Sequence, residues 1–297
     1  MPAPLSTPGT RWHYASVRAR RAVRDVGSAR RTAYSAGVYS GVSAILLDAG
    51  GVLVFPGPEP LLPPLTAAGV SLDSGLLERA HYRAMMAQDL AAMPPASGSW
   101  WRDYLVGFVA ACGVAENRCA ALAGEIVKAT TGRSYTWTHV GSGVRDGLQA
   151  LAALGLPMGV VSNSDGTVAA ELRRLGVCYA PDGREPPRAG VRVGVVVDSA
   201  VVGVSKPDPA IFRIALDALG VPPSRNVLHV GDSLRYDVTG ALAAGLQPVH
   251  LDPHGLCPAP EGHPHIRALA DLAELLRHPA LANPRPAISL GARRRRR

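Results

Sequence analysis

Aromatic residues are scarce in this chain: Phe, Trp and Tyr supply 5% of it, against 47% for the hydrophobic residues as a whole. A core must therefore be built from Ala, Val and Leu, small side chains that suit a parallel sheet covered by helices. Lysine is scarcer still, with only Lys128 and Lys206 among 31 basic residues. The four cysteines (Cys112, Cys119, Cys178 and Cys257) form no CxxC pair and no Cys/His spacing of the kinds that bind zinc, so they are expected to be reduced thiols in a cytoplasmic protein. No apolar run approaches the ~18 residues of a membrane-spanning helix. Residues 1–40 lack the continuous apolar stretch of a secretory signal.

The formal charge of +8 would fit a nucleic-acid binder, but its distribution argues otherwise. Residues 1–40 hold seven Arg and one Asp, and residues 293–297 are five consecutive Arg. Without those segments, 19 basic residues face 22 acidic ones. The basic character belongs to the two ends, which are read as disordered tails (1–40 and 281–297). No aromatic platform accompanies them, so neither a specific nucleic-acid partner nor a membrane is expected.

Between the ends, apolar runs alternate with helical patterns. Ala44-Ile45-Leu46-Leu47 stops at Asp48 and Gly50-Gly51, as a buried strand stops at a turn. A Pro-rich stretch over 56–64 reads as a boundary. Residues 73–130 read as helices, with Leu76, Ala80 and Met85 on one face and Trp101, Tyr104, Leu105 and Phe108 on another. Strands follow at Met158–Val161, Val193–Asp198, Val227–Val230 and Pro248–Leu251. Helices are expected at Val144–Leu154, about 167–175, 209–219, 236–244 and Ile266–Leu276, with a loop over 178–192. The pattern predicts a Rossmann-like, doubly wound parallel sheet (41–56 and 141–280) carrying a helical insert over 57–140. Such sheets bind ligands at the carboxyl ends of their strands. Asp48, Ser162 and Asp232 all sit there.

Those residue types suit phosphoryl transfer, which needs a nucleophile, a cation and donors for the phosphoryl oxygens. Asp48 can attack phosphorus through its carboxylate. Asp48, the Gly50 carbonyl and Asp232 offer the oxygen ligands that Mg2+ prefers, with Asp237 completing the acidic site directly or through water. Ser162 and Asn163 can donate to a phosphoryl oxygen. Lys206 can neutralise the phosphoryl group and hold Asp48 ionised. In a chain this biased towards Arg, a compact ammonium at 206 points to a specific task.

Taken in order, Asp48-Ala49-Gly50-Gly51-Val52-Leu53, Ser162-Asn163, Lys206-Pro207-Asp208-Pro209 and Gly231-Asp232-Ser233 with Asp237 resemble the four motifs of the haloacid dehalogenase superfamily. The insert resembles that family's helical C1 cap. The resemblance implies a Mg2+-dependent hydrolase of a small phosphorylated metabolite, working through an aspartyl-phosphate. Most phosphatases of the family carry a second Asp two residues after the nucleophile, where it moves the leaving-group proton. Here that position is Gly50. A cap residue could supply the acid, with His81, Asp89 and Arg102 the polar residues near the cap's apolar faces; water could do so at a slower rate; or the substrate could have a good leaving group, such as a sugar 1-phosphate or acyl phosphate. Trp100 and Trp101 are expected in the cap core. Two alternatives follow from Gly50: a metal-independent 2-haloacid dehalogenase, which also lacks the second Asp, and a catalytically weak binding or regulatory protein.

Overall fold

The structure is a computed structural model that describes residues 36–91, 99–132, 136–183, 187, 189–260 and 262–279. Every element belongs to the compact unit Thr32–Arg297; the other unit, Met1–Arg31, and the C-terminal tail expected over 281–297 lie outside the described residues.

The centre is a six-stranded, all-parallel sheet. Its strands are β1 (Ala44–Leu47), β4 (Met158–Ser162), β7 (Val195–Asp198), β8 (Val227–Gly231), β9 (Gln247–Leu251) and β10 (His265–Ile266), in the order β10-β9-β8-β1-β4-β7. Side chains alternate across a strand, and here each face has its own core. Ile45, Leu47, Met158, Val160, Leu228 and Val230 pack on one side, with Leu148 and Leu151 of α5 (Val144–Ala152) and Leu272 of α10 (Leu269–Arg277). Ala44, Leu46, Val161 and Val227 pack on the other, with Phe212 and Leu216 of α8 (Pro209–Leu219). This is the expected doubly wound α/β fold.

Between β1 and β4 the chain leaves through β2 (Val54–Phe55) and returns through β3 (His139–Val140), an antiparallel pair. Helices α1 (Pro58–Ala67), α2 (Ser74–Leu90), α3 (Trp100–Ala111) and α4 (Glu116–Thr130) lie between them around a third core that includes Leu61, Leu77, Tyr104, Phe108 and Ile126. Asp73 caps α2 and Ser99 caps α3, each accepting a main-chain N–H from the first turn.

Four local expectations need correction. The Pro-rich stretch is more than a boundary, since it forms α1: Pro58 and Pro60 sit in the first turn, where no N–H is needed, and burial of Leu61 and Leu65 offsets the cost of Pro63 and Pro64. Over 178–192 the chain is not all loop, since β5 (Cys178–Tyr179) and β6 (Val191–Arg192) pair in parallel. The segment starting at Ile266 is the end of β10, and the helix begins only at Leu269. Order begins before Val42: Ala36–Tyr39 form a 3-10 turn, and Tyr39 is buried in the first core.

Candidate active site

Three adjacent central strands, β4, β1 and β8, deliver Ser162, Asp48 and Asp232 to one edge of the sheet. All three line a cavity of about 720 Å³, together with Gly50, Asn163, Lys206 and Asp237. The sequence-derived site residues thus converge on one space, of a size suited to a small organic ligand.

Lys206 is the hub. It is 2% exposed, and its Nζ lies 2.7 Å from Asp48 Oδ1 and 2.8 Å from Asp237 Oδ1. Asn163 braces it: the carboxamide oxygen accepts the Lys206 N–H at 2.8 Å, and the carboxamide nitrogen donates to the Lys206 carbonyl at 3.0 Å. The Asn163 side chain, expected to donate to phosphate, therefore holds the lysine's main chain. Asp237 is held in turn by His229, whose Nε2 lies 2.8 Å from Oδ1, and by the Ser233 N–H on Oδ2 at 3.1 Å. Both partners of Asp48 that lie within bonding distance, Lys206 and the Ala49 N–H at 2.7 Å, fall on Oδ1.

The electrostatics follow from crowding. Burial resists charge on Asp237, but Lys206 and His229 overcome it and hold the carboxyl below its ordinary range. Burial also resists charge on Lys206, and Asp237 and Asp48 together outweigh it, so the ammonium persists. Asp48 and Asp232 go the other way: burial drives both carboxyls up, against the pull of Lys206 and with the push of Asp237. One ammonium does not neutralise three buried carboxylates. Carboxylate oxygens of Asp48, Asp232 and Asp237 lie within 4.8 Å of one another. A hard divalent cation with oxygen ligands fits this donor set and supplies the charge that is wanting.

Two glycines are dictated by close approach. Gly51 has φ +69°, and a Cβ there would run into the Asp232 carboxylate and the His81 ring. A Cβ on Gly50 would lie 3.1 Å from Cζ3 of Trp137. The space in which a side chain two residues past Asp48 would project is thus taken by an indole.

Sequence reading undervalued several residues. His81, named above only as one of the polar residues near the cap's apolar faces, is 1% exposed and lines the cavity, with Nε2 2.8 Å from Asp232 Oδ2 and Nδ1 2.9 Å from the Tyr104 hydroxyl. Burial pushes its pKa down to about 3. The neutral ring donates from Nε2 to the carboxylate and accepts at Nδ1 from Tyr104. His229 was missed altogether; a histidine within the apolar strand Val227–Gly231 was the available signal. Trp100 and Trp101 pack against the cap core as expected and, with Trp137, also line the cavity. Asp89 ties α2 to the segment after Asp232, accepting from the Ser233 hydroxyl at 2.6 Å and from the Leu234 and Arg235 N–H groups at 2.6 and 3.3 Å. It is spent on that latch. Arg102 is not among the residues lining the cavity.

Several known proteins are similar to this chain. Residues 42–245 match the family model described as haloacid dehalogenase-like hydrolase. The chain is 39% identical over 123 residues to a phosphoserine phosphatase of Thermus thermophilus, covering 38% of this chain and 48% of that protein. It is 30% identical over 186 residues to the mouse haloacid dehalogenase-like hydrolase domain-containing protein 3, covering 61% of this chain and 68% of the relative. Among solved structures, the putative HAD-hydrolase YfnB from Bacillus subtilis, bound to magnesium, aligns with a TM-score of 0.47 at 18% identity over 78% of this chain and 97% of that one.

Proposed function

The chain belongs to the haloacid dehalogenase-like hydrolases, and within them we propose that it is a Mg2+-dependent phosphatase of a small phosphorylated metabolite. The observation that carries this reading is the Asp48–Lys206–Asp237 bridge with Asp232 beside it, all on one cavity wall. The Thermus relative, matched over about half its length, is a phosphatase and supports it.

Asp48 Oδ2, the oxygen not bridged to Lys206, attacks phosphorus. The bond to the leaving oxygen breaks, giving an aspartyl-phosphate that water then hydrolyses to phosphate and free Asp48. Lys206 lies against the nucleophile and offsets phosphoryl charge, while Ser162 donates to a phosphoryl oxygen. Asp48, the Gly50 carbonyl and Asp232 would hold magnesium, with Asp237 nearby; when bound, the ion neutralises charge on the transferred group. His81, donating to Asp232, keeps that carboxylate turned towards the site and has no proton to spare for the leaving group. The helical insert covers the site as a cap and excludes water.

Gly50 and the indole above it bear on substrate choice. Without an acid at that place the leaving group departs unprotonated, which costs roughly 10²–10⁴-fold for a poor leaving group and little for a good one. Aryl phosphates, acyl phosphates and sugar 1-phosphates fit; simple alkyl phosphates do not. The three tryptophans that line the cavity favour a planar or apolar organic part. The test is turnover of a series of phosphomonoesters graded by leaving-group pKa, with and without Mg2+. Rates that fall steeply with rising leaving-group pKa, require Mg2+ and vanish in Asp48→Asn are expected. Halide release from 2-haloacids without metal would favour the dehalogenase. No turnover of any ester would favour a binding protein.

A further inference from the structure

A second group of metal-ligating side chains lies behind the Asp232 loop, and neither the active-site motifs nor the mechanism uses it. Strands β9 and β10 run parallel with His250 opposite His265, and the loop joining them carries Cys257 and His263. His250 Nδ1 lies 3.1 Å from His263 Nε2 and 3.2 Å from His265 Nε2. Cys257 Sγ lies 3.8 Å from His263 Nε2. One donor atom from each residue falls within 4.8 Å of all the others. We propose that His250, Cys257, His263 and His265 bind one tetrahedral transition-metal ion, with Zn2+ the expected occupant.

The three separations of 3.1, 3.2 and 3.8 Å are close to those of a coordination shell. Metal–nitrogen bonds of about 2.0–2.1 Å and a metal–sulfur bond of about 2.3 Å, set at tetrahedral angles, place nitrogens about 3.3 Å apart and nitrogen and sulfur about 3.6 Å apart. His250 Nε2 lies 3.1 Å from the Asp232 carbonyl oxygen, which can only accept, so Nε2 carries the proton. In the neutral ring Nδ1 is then a bare lone pair, and two imidazole nitrogens converge on it where one good hydrogen bond can form. A cation satisfies all of them at once.

The surroundings are those of a structural site. Histidine and thiolate ligands with no carboxylate select zinc over magnesium, and four protein ligands leave no open position for chemistry. Asp252, two residues after His250, is engaged elsewhere: its two oxygens accept the Leu256 and Cys257 N–H groups at 2.9 and 3.0 Å and so shape the turn that delivers Cys257. A metal-bound histidine usually donates its other N–H to a carbonyl or carboxylate, as His250 does to Asp232. The ion would fasten the two-residue edge strand β10 and its loop to β9, and through His250 would fix the main chain of a residue in the candidate active site. The spacing His250, Cys257, His263, His265 escapes sequence reading because the cluster is closed by a strand pair rather than by a short motif.

The full chain, purified without chelator and dialysed against excess Mg2+, is analysed for metal by mass spectrometry. One zinc per chain is expected, retained in Asp48→Asn and lost in Cys257→Ser and in His265→Ala, the latter a half-buried position where folding, read by circular dichroism, is expected to survive. Replacement by Co2+ should give the visible bands of a tetrahedral ion and a thiolate-to-cobalt band in the near ultraviolet, both absent from the same two variants. Folded wild-type protein that takes up neither zinc nor cobalt would overturn the proposal. So would metal that persists in both variants, or metal lost in Asp48→Asn but kept in Cys257→Ser. None of these readings depends on phosphatase activity.

Discussion

Lys206 holds two carboxylates with one charge, and its substitution separates chemistry from folding. Lys206→Ala should lower kcat on an aryl phosphate by about 10²–10³-fold, the usual loss when a positioned donor to transition-state charge is removed, while the Mg2+-loaded protein keeps its circular dichroism spectrum. Lys206→Arg should recover little, because a planar guanidinium cannot occupy a 2%-exposed slot shaped for a compact ammonium. Near wild-type turnover in either variant would remove Lys206 from the site. Gly50 yields a second prediction at this scale. An aspartate there meets Trp137 at 3.1 Å from its own Cβ, so Gly50→Asp alone should not speed hydrolysis of an alkyl phosphate. With Trp137→Ala the carboxyl has room, and the rate on that poor leaving group should rise, up to about 10²-fold. A full gain from the single variant would show that the indole is not what keeps an acid out.

Among the elements, α2 joins the helical insert to the core. His81, Met85 and Asp89 fall four residues apart on one stripe: the first two line the cavity, and the third caps the segment Leu234–Val238 that follows Asp232. Beside them, the Tyr82 hydroxyl donates to the Gly51 carbonyl at 2.8 Å. Asp89→Ala leaves the Ser233 hydroxyl and two N–H groups without their acceptor, a loss of about 1–3 kcal/mol. Thermal melting should fall by several degrees, since each kcal/mol shifts a chain of this size by about 2–4 °C. KM should rise more than kcat falls, because the latch orders the insert over the site and takes no part in bond breaking. An unchanged KM would mean that α2 is placed by its apolar contacts alone. The helix itself was legible from Leu76, Ala80 and Met85 and its polar residues stood out, but their partners did not. Asp89 meets Ser233 across 144 positions of sequence, and nothing local to either residue announces the pairing. Helix α1 was illegible for the opposite reason: its prolines argue against a helix, and only the burial of Leu61 and Leu65 against the rest of the insert overrides them.

For the molecule as a whole, strand order explains why so much of the site could be read in advance. Strands β4, β1 and β8 are neighbours, so residues at their carboxyl ends meet whatever the helices do. Asp48, Ser162 and Asp232 were therefore visible as strand-terminal polar residues, whereas His81, His229 and the His250 cluster depend on side-chain packing that periodicity does not encode. The start of the fold follows the same division. The first apolar strand marks order from Val42 onward, yet Tyr39 is 4% exposed and packs in the same core as Ile45 and Leu47. Two truncations separate the basic segment from this anchor. A chain beginning at Ala36 keeps every described residue, and should match the full chain in kcat, KM and melting temperature. A chain beginning at Gly41 also loses Tyr39, whose burial is worth about 1.5–3 kcal/mol. It should melt several degrees lower while keeping its kcat well below that temperature. Loss of turnover in the longer truncated chain would mean that the arginine-rich segment takes part in catalysis, and equal melting of both would mean that the fold starts at the first strand after all.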